Sequence, residues 1–547
     1  MPPPGYGDCS DMPEMQSGTR SEVLGVVAYP RLREAEKDFN DGCFDTAAAR
    51  VIQHLREHRD EPRGLALLGA IALKTGAFVQ AEQFLRRAMS LGLQTIDVQR
   101  ALASALHHQD RLDEALNAFT YLEQITSDPQ ATATRALILD KLGRNSDARP
   151  VHEEALKREP NQPQFWLAYG HNLRAAGRTD EAIAAYRRII EIDSEHGEAW
   201  WSLASIKSRV LTDKDVEAMN RALEVAVDIL NVVPLHFALG RAWHDRKQFE
   251  RAFGHFREAN CLRASVIKYN PDELTEEVDE FIRTTGTETL VRPNQVDATG
   301  PVPVFLVSMA RSGSTLLEQI LDQHPKIEAT GELPYVKSLM RAALELHTRR
   351  EPVTVPQLIQ RLSSAEKNAF GADYMSRAEL HRHTDSPFFI DKMPMNWSDI
   401  LFIREILPQA RFIEIRRNAM DCCFSNFVHH FSLAHAPSFD LVHQARCYVD
   451  YTRLIDHIGS VAPEFICNVR YERLIEEPEA VLRQTLGYLG LDWDDALLQF
   501  HESDRVVRTP SAEQVRRPLN RQGVDTWKPY EQWLGPLRDA LGPLADA

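Results

Sequence analysis

Apolar and polar positions change period near residue 300. Over about residues 30 to 270, apolar residues fall at helical spacing in paired runs with a polar turn between them, as in "DGCFDTAAA", "TGAFVQAEQFL", "QDRLDEALNAF", "LGRNSDARPV" and "AGRTDEAIAAY". The turn position is Gly42, Gly76, Asp110, Gly143 and Gly177, stepping by 34, 34, 33 and 34 residues, and an alanine follows five residues later at Ala47, Ala81, Ala115, Ala148 and Ala182. Trp166 and Trp200 keep the same step of 34, and after a degenerate unit Gly240 and Ala252 rejoin the pattern of Gly170 and Ala182 at twice that period plus two. Beyond residue 300 the period is gone. Short runs suited to strands, "VPVFLV", "FFI", "RFIEIR" and "FICNVR", alternate with helical stretches, which predicts an α/β domain with a parallel sheet.

The first pattern resembles the tetratricopeptide repeat. Glycine at the turn lets one helix reverse into the next, and alanine lets the two helices approach closely. A single hairpin cannot bury its apolar face, so six or seven units must stack into a solenoid with a concave face. Such a face is expected to hold a peptide or protein acceptor, or to mediate homodimerisation. "NPDELTEEVDEFI" carries an N-cap and a first-turn proline and reads as a bridging helix, and the Gly- and Pro-containing "TTGTETLVRPNQVDATGPVP" reads as a linker. The expected organisation is a disordered N-terminus (1–29), the solenoid (30–270), the bridge and linker (271–300) and the α/β domain (301–547).

Composition narrows the function. A formal charge of -16 over 547 residues argues against a nucleic-acid partner, which requires a clustered basic surface. No window reaches the roughly 20 consecutive apolar residues of a membrane span, and "MPPPGYGDCSDMPEMQSG" has neither a basic start nor an apolar core, so a cytoplasmic protein is expected. Seven cysteines without a CxxC pair predict neither a disulfide framework nor a zinc site.

The candidate chemistry begins at "FLVSMARSGSTLLEQIL", Phe305 to Leu321. A buried strand leads to a turn over Ser308 to Gly313. A helix then starts at Ser314 with Leu316, Leu317, Ile320 and Leu321 on one face. An anion can sit on that helix N-terminus, held by backbone N–H groups and by the hydroxyls of Ser312, Ser314 and Thr315, while Arg311 adds a donor fork. The loop lacks the lysine of GxxxxGK[ST], since Ser314 follows Gly313 directly, and this disfavours a handler of γ-phosphate.

"ARSGSTLLEQIL" resembles the loop with which sulfotransferases hold the 5′-phosphosulfate of 3′-phosphoadenosine 5′-phosphosulfate (PAPS), with Ser308 in place of the usual leading glycine and Ala310 in place of a proline. The chain as a whole resembles bacterial tetratricopeptide-repeat sulfotransferases, and its α/β half the catalytic domain of tyrosylprotein sulfotransferases. In "RFIEIRRNAMDCCFSNF" the resemblance implies that Arg417 and Ser425 grip the 3′-phosphate, with Arg416 as the alternative register. "VRYERLIEEPEAVLRQTLGYLGL" similarly places Tyr471 near the nucleotide. "TPSAEQVRRPLN" offers Ser511 with Arg516 or Arg517, and "TWKPYEQWLGPL" offers Lys528.

For catalysis the resemblance implies Glu332 of "ATGELPYV" as the base and Lys392 of "FFIDKMPMNW" as the cation at the leaving oxygen, with Arg311 beside the transferred group. The competing readings are an ion pair of Lys392 with Asp391, and His324 of "DQHPKIEA" as the base or, alternatively, as a helix C-cap. The implied activity is PAPS-dependent sulfuryl transfer without a metal, to an acceptor hydroxyl such as that of a protein tyrosine. Two alternatives are an interaction scaffold with an inactive nucleotide-binding domain and a P-loop nucleotide phosphotransferase. The latter would need the loop lysine and a metal-binding aspartate.

Overall fold

The structure, a computed structural model, describes residues 29–206, 210–290, 300–347, 353–431, 435–503 and 515–546. Ser511, residues 1–28 and residues 291–299 of the expected linker lie outside the described residues. No described helix is long and apolar enough to cross a membrane. The described cysteines, Cys43, Cys261, Cys422, Cys423, Cys447 and Cys467, are all free thiols.

Among the described residues, helices pair into seven successive hairpins, from Pro30–Asn40 with Phe44–Glu57 to Ile229–Asp245 with Phe249–Val266. The turn positions predicted from the period all adopt the left-handed conformation, with φ of 77° at Gly42, 80° at Gly76, 51° at Asp110, 84° at Gly143 and 76° at Gly177. Ala47, Ala81, Ala115, Ala148, Ala182 and Ala252 are each 0% exposed, where the paired helices meet. The last hairpin turns at Lys247, φ 58°, which a search for glycine misses. The degenerate unit has a shortened first helix, Gly197–Ala204, before Asp213–Val225.

Contacts gather the described chain into two units, one of residues up to 168 with 337–347, the other of residues 169–336 with 353–546. The first is built from hairpins. Its core is aliphatic, with Leu67, Ala70 and Ile71 of one helix set against Ala47 and Val51 of the one before it. The second contains the last hairpins and a sheet of five parallel strands, β1 (Val302–Val307), β2 (Ile327–Gly331), β3 (Phe388–Asp391), β4 (Arg411–Arg416) and β5 (Ile466–Arg470), in the order β2-β3-β1-β4-β5.

Central β1 is covered on both faces, which accounts for the unbroken apolar run at its sequence. Val304 and Leu306 pack with Leu317 and Ile320 of the following helix, and Phe305 packs on Phe412 and Tyr374 with ring centroids 5.7 and 5.5 Å apart. Strand β2 is an addition to the expected set. Its sequence, IEATG, holds one large apolar residue, and it lies at the sheet edge.

The last hairpins are part of this unit's core. Asn260 Nδ2 donates to the Phe427 carbonyl at 2.8 Å, and Phe253 packs on Phe427 and Trp533 with centroids 5.9 and 5.3 Å away. Helix Pro271–Thr284, capped by the Asn270 side chain, lies along helix Leu441–Val461. There Thr275 Oγ1 donates to Asp450 at 2.7 Å and Arg446 pairs with Asp272 at 2.6 Å.

Candidate active site

In an open parallel sheet, ligands bind beyond the carboxyl ends of the strands, where the strand order reverses. Here the chain leaves β1 toward β3 and β2 and leaves β4 toward β5, so the ends of β1 and β4 flank the crevice. Each strand delivers one expected residue to that edge: Ser308 follows β1, Glu332 follows β2, Lys392 follows β3, Arg417 follows β4 and Tyr471 follows β5.

The loop after β1 bends as its sequence predicts, and helix Ser314–Leu321 is N-capped by Gly313 at φ 95°. A side chain at Gly313 would strike the Tyr471 ring, so both the φ angle and the close approach require glycine. Arg311 also has positive φ, 66°, an uncommon state for a residue with a side chain. The bend is held from outside. Ala310 O accepts from Asn426 Nδ2 at 2.9 Å and from the Cys422 thiol at 3.4 Å, and Ser312 Oγ lies 3.4 Å from Cys422 Sγ.

Helix Ala419–Phe427 therefore braces the loop while presenting Ser425, whose Oγ accepts from Arg311 Nε at 3.3 Å. Arg417 donates to the carbonyls of Arg311, at 2.8 Å, and of Gly523, and its guanidinium lies 5.5 Å from the centre of the Tyr471 ring. Asp421 anchors the segment around Gly523 by accepting from the Asp525 and Thr526 backbone N–H groups at 2.8 and 2.7 Å. Arg416 points elsewhere, to Glu414 and Asp456, each at 2.9 Å, so Arg417 is the arginine beside the loop. The reason is strand alternation: Arg416 shares a face of β4 with Glu414.

Burial, with the guanidiniums of Arg417 and Arg241 acting on it, pulls the Arg311 pKa down to about 10. Ser308 Oγ and Arg417 Nε are buried without a hydrogen-bond partner. Unsatisfied donors, two arginines and a helix N-terminus in one place form a donor set suited to a phosphate or sulfate group.

On the β2–β3 side, the Lys392 ammonium donates to Glu332 Oε1 and lies 4.0 Å from Glu318 Oε2. Lys392 is 1% exposed and the Glu332 side chain 45%, so the lysine is fixed and the carboxylate faces outward. The Asp391 carboxyl instead hydrogen-bonds to Tyr374 OH at 2.7 Å and Leu333 N at 3.4 Å, and burial pushes its pKa up to about 7. His324 is 4% exposed, with Nδ1 accepting from Lys326 N and Nε2 donating to Asp492 O, both at 3.1 Å. Nδ1 thus closes the turn at the helix end, and Nε2 ties that turn to the segment at Asp492.

The C-terminal residues have other neighbours. Arg516 stands against the hairpin turn at Gly177, where an added Cβ would lie 2.5 Å from its guanidinium, and Arg517 is exposed. Lys528 is exposed and pairs with Asp525 at 2.8 Å. Asp421, Cys422, Asn426 and Gly523 were not among the site residues expected from sequence. Asp421 follows Arg417 by four residues, a closeness in sequence that could have pointed to it, whereas Gly523 reaches the site only through the tertiary fold.

Residues 303–495 match the sulfotransferase family, and residues 134–197 and 170–206 match the tetratricopeptide repeat. An uncharacterized protein of Aquifex aeolicus is 28% identical over 79% of this chain and 57% of its own length. Protein-tyrosine sulfotransferase A of Caenorhabditis elegans is 23% identical over 41% of this chain and 60% of its own, and protein-tyrosine sulfotransferase 1 of Danio rerio is 23% identical over 41% and 65%. The chain thus spans 57% to 65% of the length of these relatives. Among solved structures, the sulfotransferase domain of the Synechococcus PCC 7002 olefin synthase aligns at a TM-score of 0.30 with 24% identity, covering 44% of this chain and 90% of that one. By the family matches, a sulfotransferase-family domain follows tetratricopeptide repeats in this chain.

Proposed function

We propose that this sulfotransferase-family domain uses PAPS to sulfate an acceptor hydroxyl, with a protein tyrosine as the acceptor class. The observation that carries the reading is the convergence, at the carboxyl edge of one sheet, of an anion-shaped loop with unsatisfied donors and a buried lysine paired to an outward-facing carboxylate. Bound there, the donor would supply the sulfuryl group, SO3, and leave as 3′-phosphoadenosine 5′-phosphate.

The loop N–H groups, Ser312, Ser314 and Thr315 hold the 5′ anion, and Arg417 with Ser425 holds the 3′-phosphate. Tyr471, stacked by Arg417, bounds the nucleotide side. Lys392 neutralises charge growing on the leaving oxygen, and Glu332 accepts the acceptor's proton. The Lys392–Glu332 pair links these roles. A donor anion competes for the ammonium, and taking it frees the Glu332 carboxylate to act as base. His324 is a turn-holder in this reading. The tyrosine acceptor is supported by the names of the two animal relatives, and the repeats offer a surface for a peptide.

Calorimetry on the full chain tests the reading: 3′-phosphoadenosine 5′-phosphate should bind at least ten times more tightly than AMP, and Arg417→Ala should remove most of that preference. Equal affinities in the unaltered protein would overturn it.

A further inference from the structure

We propose that Arg241, contributed by the last hairpin of the repeat array, is a third cation of the donor site and binds on the 3′-phosphate side. The inference rests on the nucleotide reading above and adds a residue from outside the sulfotransferase-family segment, which begins at residue 303.

Arg241 lies on helix Ile229–Asp245, whose place against the site is fixed by a chain of contacts. One turn along, His244 Nδ1 is 2.8 Å from Tyr530 OH. The Tyr530 ring packs on Phe424 with centroids 4.6 Å apart. Phe424 adjoins Ser425, whose hydroxyl takes Arg311 Nε at 3.3 Å. The charge of Arg241 acts on both ends of this chain, Tyr530 and the buried Arg311.

Its own bonding is incomplete. Asp245 Oδ1 lies 3.2 Å from Arg241 Nε, yet that buried nitrogen makes no hydrogen bond. Arg417, which donates to the Arg311 carbonyl at 2.8 Å, and Arg241 are the cations whose charge bears on the Arg311 guanidinium. Asp421, 3.6 Å from Arg417, and Asp245 are the carboxylates paired with this group. Like charges brought near one another repel, a polyanion relieves that repulsion, and the Arg241 side chain, 33% exposed, is open to such a ligand. Because the cluster closes on Ser425, the 3′-phosphate is the part of the donor that Arg241 meets.

Titration calorimetry on the full chain separates this role from a packing role. Arg241→Met should weaken 3′-phosphoadenosine 5′-phosphate about tenfold while leaving AMP affinity unchanged, and Arg241→Lys should restore most of the loss. Arg241→Gln carries the same expectation as the methionine variant should that one not fold. Unchanged affinity for 3′-phosphoadenosine 5′-phosphate, or an equal loss for both nucleotides, would overturn the assignment. If the unaltered protein itself fails to prefer 3′-phosphoadenosine 5′-phosphate, the nucleotide reading falls, and inorganic pyrophosphate becomes the probe. Thermal protection by pyrophosphate that Arg241→Met abolishes would still establish Arg241 as an anion ligand, and protection equal in both proteins would refute it.

Discussion

At the scale of single residues, the ion pair between Lys392 and Glu332 makes the two catalytic candidates separable. Glu332→Gln keeps the size of the side chain but cannot take a proton, so turnover should fall about 100-fold or more. Affinity for 3′-phosphoadenosine 5′-phosphate should hold or rise, because the ammonium no longer serves a carboxylate. Steady-state kinetics and a binding titration on the same preparation check this, and a variant with full turnover would remove Glu332 from the mechanism. Asp391 gives a pH signature. Its folded pKa of about 7 stands above the unfolded value of 3.8, so the native state keeps a proton that the unfolded chain releases between those limits. Its contribution to stability is complete below about pH 4 and is lost as pH rises to about 7. Asp391→Asn has no such proton, so urea midpoints of the unaltered protein should decline relative to the variant between about pH 4 and pH 7. Parallel profiles would refute the shift.

At the scale of elements, the hairpin turns carry their own energetics. Lys247 occupies the left-handed turn position that glycine fills in the hairpins turning at Gly42, Gly76, Gly143 and Gly177. Left-handed backbone costs a residue with a side chain about 1–2 kcal/mol, and glycine's larger unfolded-state entropy offsets part of the gain from removing that strain. Lys247→Gly should therefore stabilise the protein by roughly 0.5–1 kcal/mol. Guanidinium denaturation reads the difference directly, and a destabilised variant would mean that the lysine side chain has a role its exposure does not suggest. The phosphate loop follows different rules. Gly313 is required both by its φ of 95° and by the Tyr471 ring, while Ala310 and Ser312 are fixed by Asn426 and Cys422 on a helix more than 100 residues away in sequence.

At the scale of the molecule, the last hairpins and the sheet are one packed unit. Removing residues 30–265 would expose Phe427, Trp533 and Tyr530, whose partners Phe253 and His244 are lost, and would delete Arg241. The shortened protein should aggregate or lose affinity for 3′-phosphoadenosine 5′-phosphate, as light scattering and a binding titration would show. A monodisperse fragment with undiminished affinity would mean that the repeats neither brace the site nor contribute to it.

The sequence by itself determined whatever depends on local periodicity. The 34-residue step placed the turns and the buried alanines, since helix length and hairpin reversal are set by neighbours in the chain. The apolar runs located β1, β3, β4 and β5, and the strand–turn–helix at Ser308–Ser314 was legible because a helix N-terminus is a local feature. Edge strand β2, with one large apolar residue, gave no such signal. Only the tertiary structure decided how charges are matched. It turned Arg416 toward Glu414 and Asp456 and Arg417 toward the loop, and it paired Lys392 with Glu332, 60 residues away, leaving neighbouring Asp391 to hydrogen-bond with Tyr374 and Leu333. It also packed the repeat helix that carries Arg241 against the C-terminal segment, with His244 Nδ1 2.8 Å from Tyr530 OH. The physical reason is that charge pairing depends on distance in space, which the parallel crossovers and the packing of the last hairpins set, whereas periodicity records only distance along the chain.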